Sequence, residues 1–444
     1  MQLTVLVDLE DVSPRGIAGA LSRAIRAGEL APGDRLPTVR DVAAELGVSP
    51  ATVSAAWQAL RRTGLVVARG RAGTFVCDTP ATWLSPRQRD LVGAGPGGLP
   101  LDLSRGTPDP ALLPDLGPAL HRVSQRAGTL AYQEEPVLPA LHDVLVASWP
   151  YDVEAITVVD GATDGIMRTL EQVVSYGDRV VLESPGFPPF FDLVESLGAE
   201  VVPVALDGAG ITPGSLRGAL DAAPVAVVLQ PRAHNPTGVA MTVERAGQLA
   251  RVLARHAAAV PWLIEDDHSS GISGAPDVSL GTWLPDRVVH LRSYSKSHGP
   301  DLRIAALGGP AALVDRIVAR RMLGPAWTSR MLQTILHDLL TSSHSLDEVG
   351  DARRQYLARQ RTLVGALAEH GLGLAVPDGI NLWLPVRDEA AALVSLSASG
   401  IRVAGGAPFV ASGEAGFVRV TSGLVPPGDA AQVAAALAAA AIAE

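Results

Sequence analysis

Lys296 is the only lysine among the 36 basic side chains of this 444-residue chain; all the others are arginines. It lies in Ser293-Tyr294-Ser295-Lys296-Ser297-His298-Gly299-Pro300-Asp301-Leu302-Arg303. Lysine is ordinarily among the commonest residues, so a chain that uses arginine wherever a cation suffices has kept an amine at one place. The chemistry open to an amine and closed to a guanidinium is a Schiff base. Arginine stays protonated above about pH 12, whereas a lysine amine can deprotonate and attack an aldehyde. Lys296 therefore reads as an anchor for pyridoxal phosphate.

Other residues, in chain order, could complete such a site. Asp160-Gly161-Ala162-Thr163-Asp164 falls between an apolar run at 156–159 and a helical stretch ending near Val174, so its backbone amides open a helix and can cradle a phosphate. Asn235 stands in His234-Asn235-Pro236-Thr237-Gly238, and Asp266 in Glu265-Asp266-Asp267-His268. A carboxylate beside a pyridine nitrogen keeps it protonated, and a protonated ring is the electron sink this chemistry requires. An amide at the ring oxygen tunes the ring, and a cation with hydroxyls holds the phosphate. Read alone, Asp266 is equally one of a solvated acidic pair, and Phe187 equally a core residue.

These residues need strand ends to stand on. From Ser104 onward, Val/Leu/Ile-rich runs at 179–183, 200–205, 226–230, 262–266, 288–293 and 303–308 alternate with helical stretches. That alternation predicts an α/β sheet buried on both faces, with ligand chemistry at the strand ends.

The ordered set resembles the fold-type I aminotransferases over roughly residues 104–444. The resemblance implies that Lys296 carries the cofactor, Asp266 pairs with its pyridine nitrogen, Asn235 contacts the ring oxygen and Phe187 stacks on the ring. It implies phosphate contacts from Ala162, Thr163, Ser293 and Arg303, and a grip on a substrate carboxylate by Arg419, where a guanidinium fork suits the geometry. Tyr132 would reach the phosphate of a neighbouring subunit, although the glycine usual a few residues later is missing from 133–139. His268 stands where a tyrosine is usual; with an ordinary pKa near 6.5 its contact to the ring oxygen is expected to be pH-sensitive.

The N-terminal segment has a different character. Residues 13–77 hold nine arginines against four acids, a net +5 within a chain of net charge −10, as expected of a nucleic-acid module on an acidic protein. Ile17, Leu21 and Ile25 recur at helical spacing before Gly28; Thr38 caps a second helix to Leu46; Ser49-Pro50 opens a third through Arg61. Residues 65–76 read as two short strands around a basic tip. Gly33-Asp34-Arg35-Leu36-Pro37-Thr38-Val39-Arg40, Leu46-Gly47-Val48-Ser49, Thr52-Val53 and Gly73-Thr74-Phe75-Val76 resemble the winged helix-turn-helix of GntR-type regulators. That resemblance implies DNA contacts from Arg40, Ser49, Thr52 and Arg71, with Pro50 and Ala51 standing where some relatives carry polar residues. Arg40 could instead pair with an acid such as Glu45, and Arg71 could belong to a solvated turn.

Between the two signals, residues 79–103 are rich in Pro and Gly and read as a linker. The expected organisation is α/β multidomain: a winged helix-turn-helix at 1–78, the linker, and at 104–444 an aminotransferase-like fold-type I domain with a smaller C-terminal α+β subdomain. One cysteine, Cys77, leaves no intramolecular disulfide or cysteine-based metal cluster, and it reads as a small buried hydrophobe. No apolar run approaches the roughly 18 residues of a membrane span, and no metal site is indicated; a cytoplasmic protein is expected. A GntR-type reader ahead of an aminotransferase-like domain resembles the MocR/GabR regulators. This implies a homodimeric transcriptional regulator that binds an operator in double-stranded DNA and senses an amino acid or amine. The alternative is a working aminotransferase with an accessory reader.

Overall fold

A computed structural model of the chain describes residues 9, 11–62, 65–68, 73–77, 84–92, 100–126, 134–256, 259–413 and 416–442. Two compact units emerge, the first built mainly on the described residues up to Ser85, with Ser175–Gly177 and Asp192–Glu200 grouped with it.

In that first unit, helix Pro14–Ala27 is capped by the Ser13 side chain and stopped by Gly28, which takes the left-handed conformation. Thr38 caps Val39–Leu46 through the Asp41 amide, and helix Pro50–Arg62 follows. Ile17, Leu21, Val42, Val53, Trp57 and Leu60 close their apolar sides into one core. The wing forms as expected, with Val66–Ala68 antiparallel to Thr74–Val76. A third segment that the sequence reading missed joins it: Leu36 donates to the Thr74 carbonyl and Val76 to that of Asp34. Cys77 is half-buried rather than buried, because it leaves the wing strand just beyond the buried Val76.

The second unit contains a seven-stranded sheet in the order 155–159, 305–309, 288–293, 262–267, 226–229, 179–183, 200–204. Ala305–Gly309 runs antiparallel to both neighbours, while 288–293, 262–267, 226–229 and 179–183 are mutually parallel. The parallel strands are buried along nearly their whole length, as a sheet covered on both faces requires. A smaller α+β region follows: the antiparallel strands Leu382–Pro385, Phe417–Val420 and Ala404–Gly405 pack with helices Ser343–Glu369, Glu389–Ala398 and the Ala-rich Ala430–Ala441 around Leu363, Leu384, Val418 and Leu437.

The stretch expected as linker holds more structure than its composition suggested. Pro86–Val92 is helical, with proline at its first position where no amide is needed, and Arg87 donates to the carbonyls of Pro408 and Val410. Leu101–Asp102 pairs in parallel with Ile401–Arg402. No helix among the described residues is long and apolar enough to cross a membrane.

Candidate functional site

Successive side chains on a strand alternate between faces, which sorts the polar residues of the central strands. Asp266 is in register with Leu291, and Leu291 presses on Gly165 of helix Ala162–Val173, so Asp266 lies on the face covered by that helix. Glu265, Asp267, His290 and Arg292 lie on the other face. There Arg232 makes a two-pronged pair with Asp267 at 3.0 and 2.6 Å, and Glu265 accepts from Ser279 Oγ and the Leu280 amide. Those charges are structural and already paired.

On the Asp266 face the sequence-selected residues converge. Lys296 follows strand Val288–Ser293, and its Nζ donates to the carbonyl of Gly106. Burial, and then the Arg419 cation, push its amine down to about 8, which places a reactive free amine within reach of neutral pH. Asp266 is 3% exposed. Its Oδ2 accepts from Gln230 Nε2 at 2.8 Å, while Oδ1 is buried with no partner among the described residues; burial pushes the carboxyl up to about 7 against that hydrogen bond. Asn235 Oδ1 accepts from Arg419 at 3.3 Å. Arg419 also donates to the Ser104 carbonyl, lies over the Phe409 ring at 5.0 Å, and is lowered to about 10 by burial. Phe187 is half-buried and meets Phe190 edge-on at 5.2 Å between centroids.

The phosphate-type residues gather at the start of helix Ala162–Val173. Its N-cap is Gly161, at φ 102°, so no side chain caps the first amides of Ala162 and Thr163. A Cβ on Gly161 would stand 2.7 Å from the Arg303 guanidinium, so only glycine lets that cation lie over the helix start. Arg303 is exposed and donates to the Asp160 carbonyl at 3.1 Å. Ser293 is buried, and its hydroxyl accepts from the Ser295 amide at 3.3 Å. Tyr132 lies outside the described residues.

These features fit pyridoxal phosphate. A protonated ring nitrogen would supply the partner that Asp266 Oδ1 lacks, the uncapped amides and Arg303 suit a dianion, and the lowered lysine suits an aldehyde. Three contributors were missed by sequence reading: Gly106, Ser104 and Gln230. Gly106, at φ +62°, has no room for a Cβ, which would fall 2.9 Å from an Arg419 nitrogen. Its partner lies far along the chain, so no local spacing signals it.

His268 needs a correction. Its Nδ1 is buried without a hydrogen-bond partner among the described residues, and burial, followed by the Lys296 charge, lowers it to about 3. The imidazole is therefore neutral throughout the working range, and the expected pH-sensitive contact does not arise from its own titration. The cost appears in stability instead. The unfolded chain protonates His268 below about pH 6.5 and the folded chain only near 3, so stability is lost as pH falls through that window. In cofactor-free protein, His268→Gln should lose about 1–2 kcal/mol less stability than wild type between pH 7 and 5. Denaturant unfolding at both pH values measures this, and equal losses in the two proteins would refute it.

In the winged unit Arg40 is exposed, and among the described residues it has no ion pair with Glu45 or any other acid. Ser49 caps the third helix: its Oγ accepts from the Thr52 amide at 3.1 Å and shares a hydrogen bond with the Thr52 hydroxyl at 2.8 Å. That leaves one proton of the hydroxyl pair for an outside acceptor such as a phosphate oxygen. Arg71 lies outside the described residues.

Comparison with known proteins agrees with this division. Residues 100–437 match the aminotransferase class I and II family, and residues 15–76 match the bacterial regulatory proteins of the gntR family. The chain is 35% identical to the vitamin B6 salvage pathway transcriptional repressor PtsJ of Salmonella typhimurium, over 91% of this chain and 93% of that protein. It is 28% identical to the HTH-type transcriptional regulator TauR of Rhodobacter capsulatus, over 82% of each. Among solved structures, the α-aminoadipate aminotransferase LysN of Thermus thermophilus superposes with a TM-score of 0.69 at 20% identity, over 77% of this chain and 91% of that one. That likeness shows the fold.

Proposed function

Because this chain belongs to the aminotransferase class I and II family and carries a gntR-family domain ahead of it, we propose that it is a DNA-binding transcriptional regulator that holds pyridoxal phosphate and senses an amino compound. The observation that carries this reading is the presence, in one chain, of a winged helix with an exposed Arg40 and a buried site joining Lys296, Asp266, Asn235 and Arg419. The name of the Salmonella relative supports it.

Pyridoxal phosphate, when bound, supplies an electrophilic carbon to which an amine can attach. The chain's own residues do the rest. Lys296 provides the amine that holds the cofactor, Asp266 the charge opposite the ring nitrogen, and Asn235 with neutral His268 the contacts at the ring oxygen. Phe187 covers the ring; Ala162, Thr163, Ser293 and Arg303 hold the phosphate. Arg419, now bonded to Asn235 and the Ser104 carbonyl, would exchange those partners for an effector carboxylate. An effector changes DNA affinity only through a difference in its affinity for the two states, typically about 1–3 kcal/mol of coupling. Operating as a homodimer, in which Tyr132 would reach the phosphate of the neighbouring subunit, the protein presents two winged helices to two half-sites. A gene regulator of this kind works in the cytoplasm.

Gel shifts on the protein's own promoter region, with cofactor alone and with cofactor plus candidate amines, test the reading. Arg40→Ala should weaken operator binding and lower the salt slope by about one, leaving cofactor content unchanged. Arg71→Ala should act likewise. Wild-type affinity and slope in both variants would remove the winged helix from the DNA contact. The second reading, an aminotransferase with an accessory reader, is favoured by the completeness of the Lys296 site. Many turnovers of amino donor to keto acid, without operator binding, would establish it.

A further inference from the structure

Gln230 follows strand Ala226–Leu229 and is 4% exposed. Both ends of its side chain are committed: Nε2 donates to Asp266 Oδ2 at 2.8 Å, and Oε1 accepts from the Asn235 backbone amide at 2.8 Å. A backbone N–H can only donate, so it fixes which end of the carboxamide is oxygen. The amino end must therefore face Asp266, where it can donate only to an oxygen with a free lone pair. The residue is itself pinned, because its own amide donates to Glu183 Oε2 at 2.8 Å.

Resting on the cofactor reading above, we propose that Gln230 is a positioning residue that yokes the Asp266 carboxylate to the Asn235 loop, so that the groups that would serve the ring nitrogen and the ring oxygen are set as one unit. Without it the two are independent: Asp266 belongs to strand Trp262–Asp267, and Asn235 to a loop after the neighbouring strand. The charges around Asp266 make the donor matter. Asp267 and Glu183 oppose its ionisation, and His290 from the adjacent strand and Lys296 favour it. Gln230 supplies the hydrogen bond that it accepts. Asn235 extends the row to Arg419, so the yoke runs from the ring-nitrogen carboxylate to the guanidinium beside the site.

The test uses full-length wild type, Gln230→Leu and Gln230→Glu, with pyridoxal phosphate affinity measured at about pH 6 and about pH 8.5, each variant being compared with wild type at the same pH. Borohydride fixation and peptide mapping confirm that the label is on Lys296, and thermal melts confirm folding. Leucine removes both hydrogen bonds and should weaken binding about ten-fold at both pH values, since a hydrogen bond to a charged group is at stake. Glutamate keeps an acceptor for Asn235 but can donate to Asp266 only while protonated. Gln230→Glu should therefore approach wild type at about pH 6 and fall about ten-fold at about pH 8.5. The visible absorption of bound cofactor in Gln230→Leu should change at a pH roughly one unit higher than in wild type. Wild-type affinity and spectra in both variants would overturn the proposal. So would a Gln230→Glu protein that matches Gln230→Leu at both pH values, because the loss would then be one of shape and not of a donated proton. Absence of fixable cofactor from wild type itself would instead refute the cofactor reading.

Discussion

Lys296→Ala is expected to abolish all borohydride-fixable pyridoxal phosphate on the side chains of this protein, as measured by visible absorption and by peptide mapping of the reduced adduct. The expectation is absolute because no second lysine exists to substitute, and arginine cannot form the linkage. Lys296→Arg, which keeps the charge, should fail equally. The amine's lowered value of about 8 gives the wild-type reaction a direction with pH: capture rate should climb as pH rises towards 8 and level off above it, following the free-amine fraction. Fixable cofactor persisting on a side chain in either variant would remove Lys296 from its role. Operator binding by the cofactor-free variants would then report how far the reader depends on the linkage.

The second large effect concerns Asp266. In cofactor-free protein its carboxyl sits at about 7, so a substantial part is protonated at neutral pH. A cationic ring nitrogen placed at the partnerless Oδ1 would draw the group back to its charged form. Asp266→Ala removes that partner and should weaken pyridoxal phosphate binding about 10- to 100-fold, the range for a buried hydrogen bond to a charged group. Asp266→Asn keeps an acceptor for Gln230 without the charge and should fall in the same range, which isolates the charge from the shape. Equilibrium dialysis measures both. Unchanged affinity would assign Asp266 to the acidic pair with Asp267 that the sequence alone equally allows.

Local physics made much of this molecule legible. Ser13, Thr38 and Gly28 announce helix ends because capping depends on residues within four positions, and the central strands are continuous apolar runs because both faces are covered. The order of Asp160–Thr163, Asn235, Asp266 and Lys296 was readable because each ends a strand or follows one. Contacts made across crossovers were not. Lys296 meets Gly106, and Arg419 meets Ser104, across distances in sequence over which no pattern repeats. Gln230 looked like the last residue of a strand, since nothing local distinguishes a carboxamide bridge from a buried strand end. Pro86–Val92 was hidden because prolines and glycines around it outweighed a helix that begins on a proline. His268 was assigned an ordinary pKa, as a sequence carries no burial.

Confining the chain's side-chain amines to one has a consequence for the protein's traffic with a reactive aldehyde. A typical protein exposed to excess pyridoxal phosphate collects adventitious adducts over its surface lysines. Here the reagent finds only the half-buried Lys296 and the chain's terminal amine. The surface keeps its cations as arginine, so its charge, and the positive balance of residues 13–77 with it, is immune to neutralisation by the cofactor. Once an adduct on the terminal amine is set apart by peptide mapping, labelling stoichiometry becomes a direct count of occupied sites.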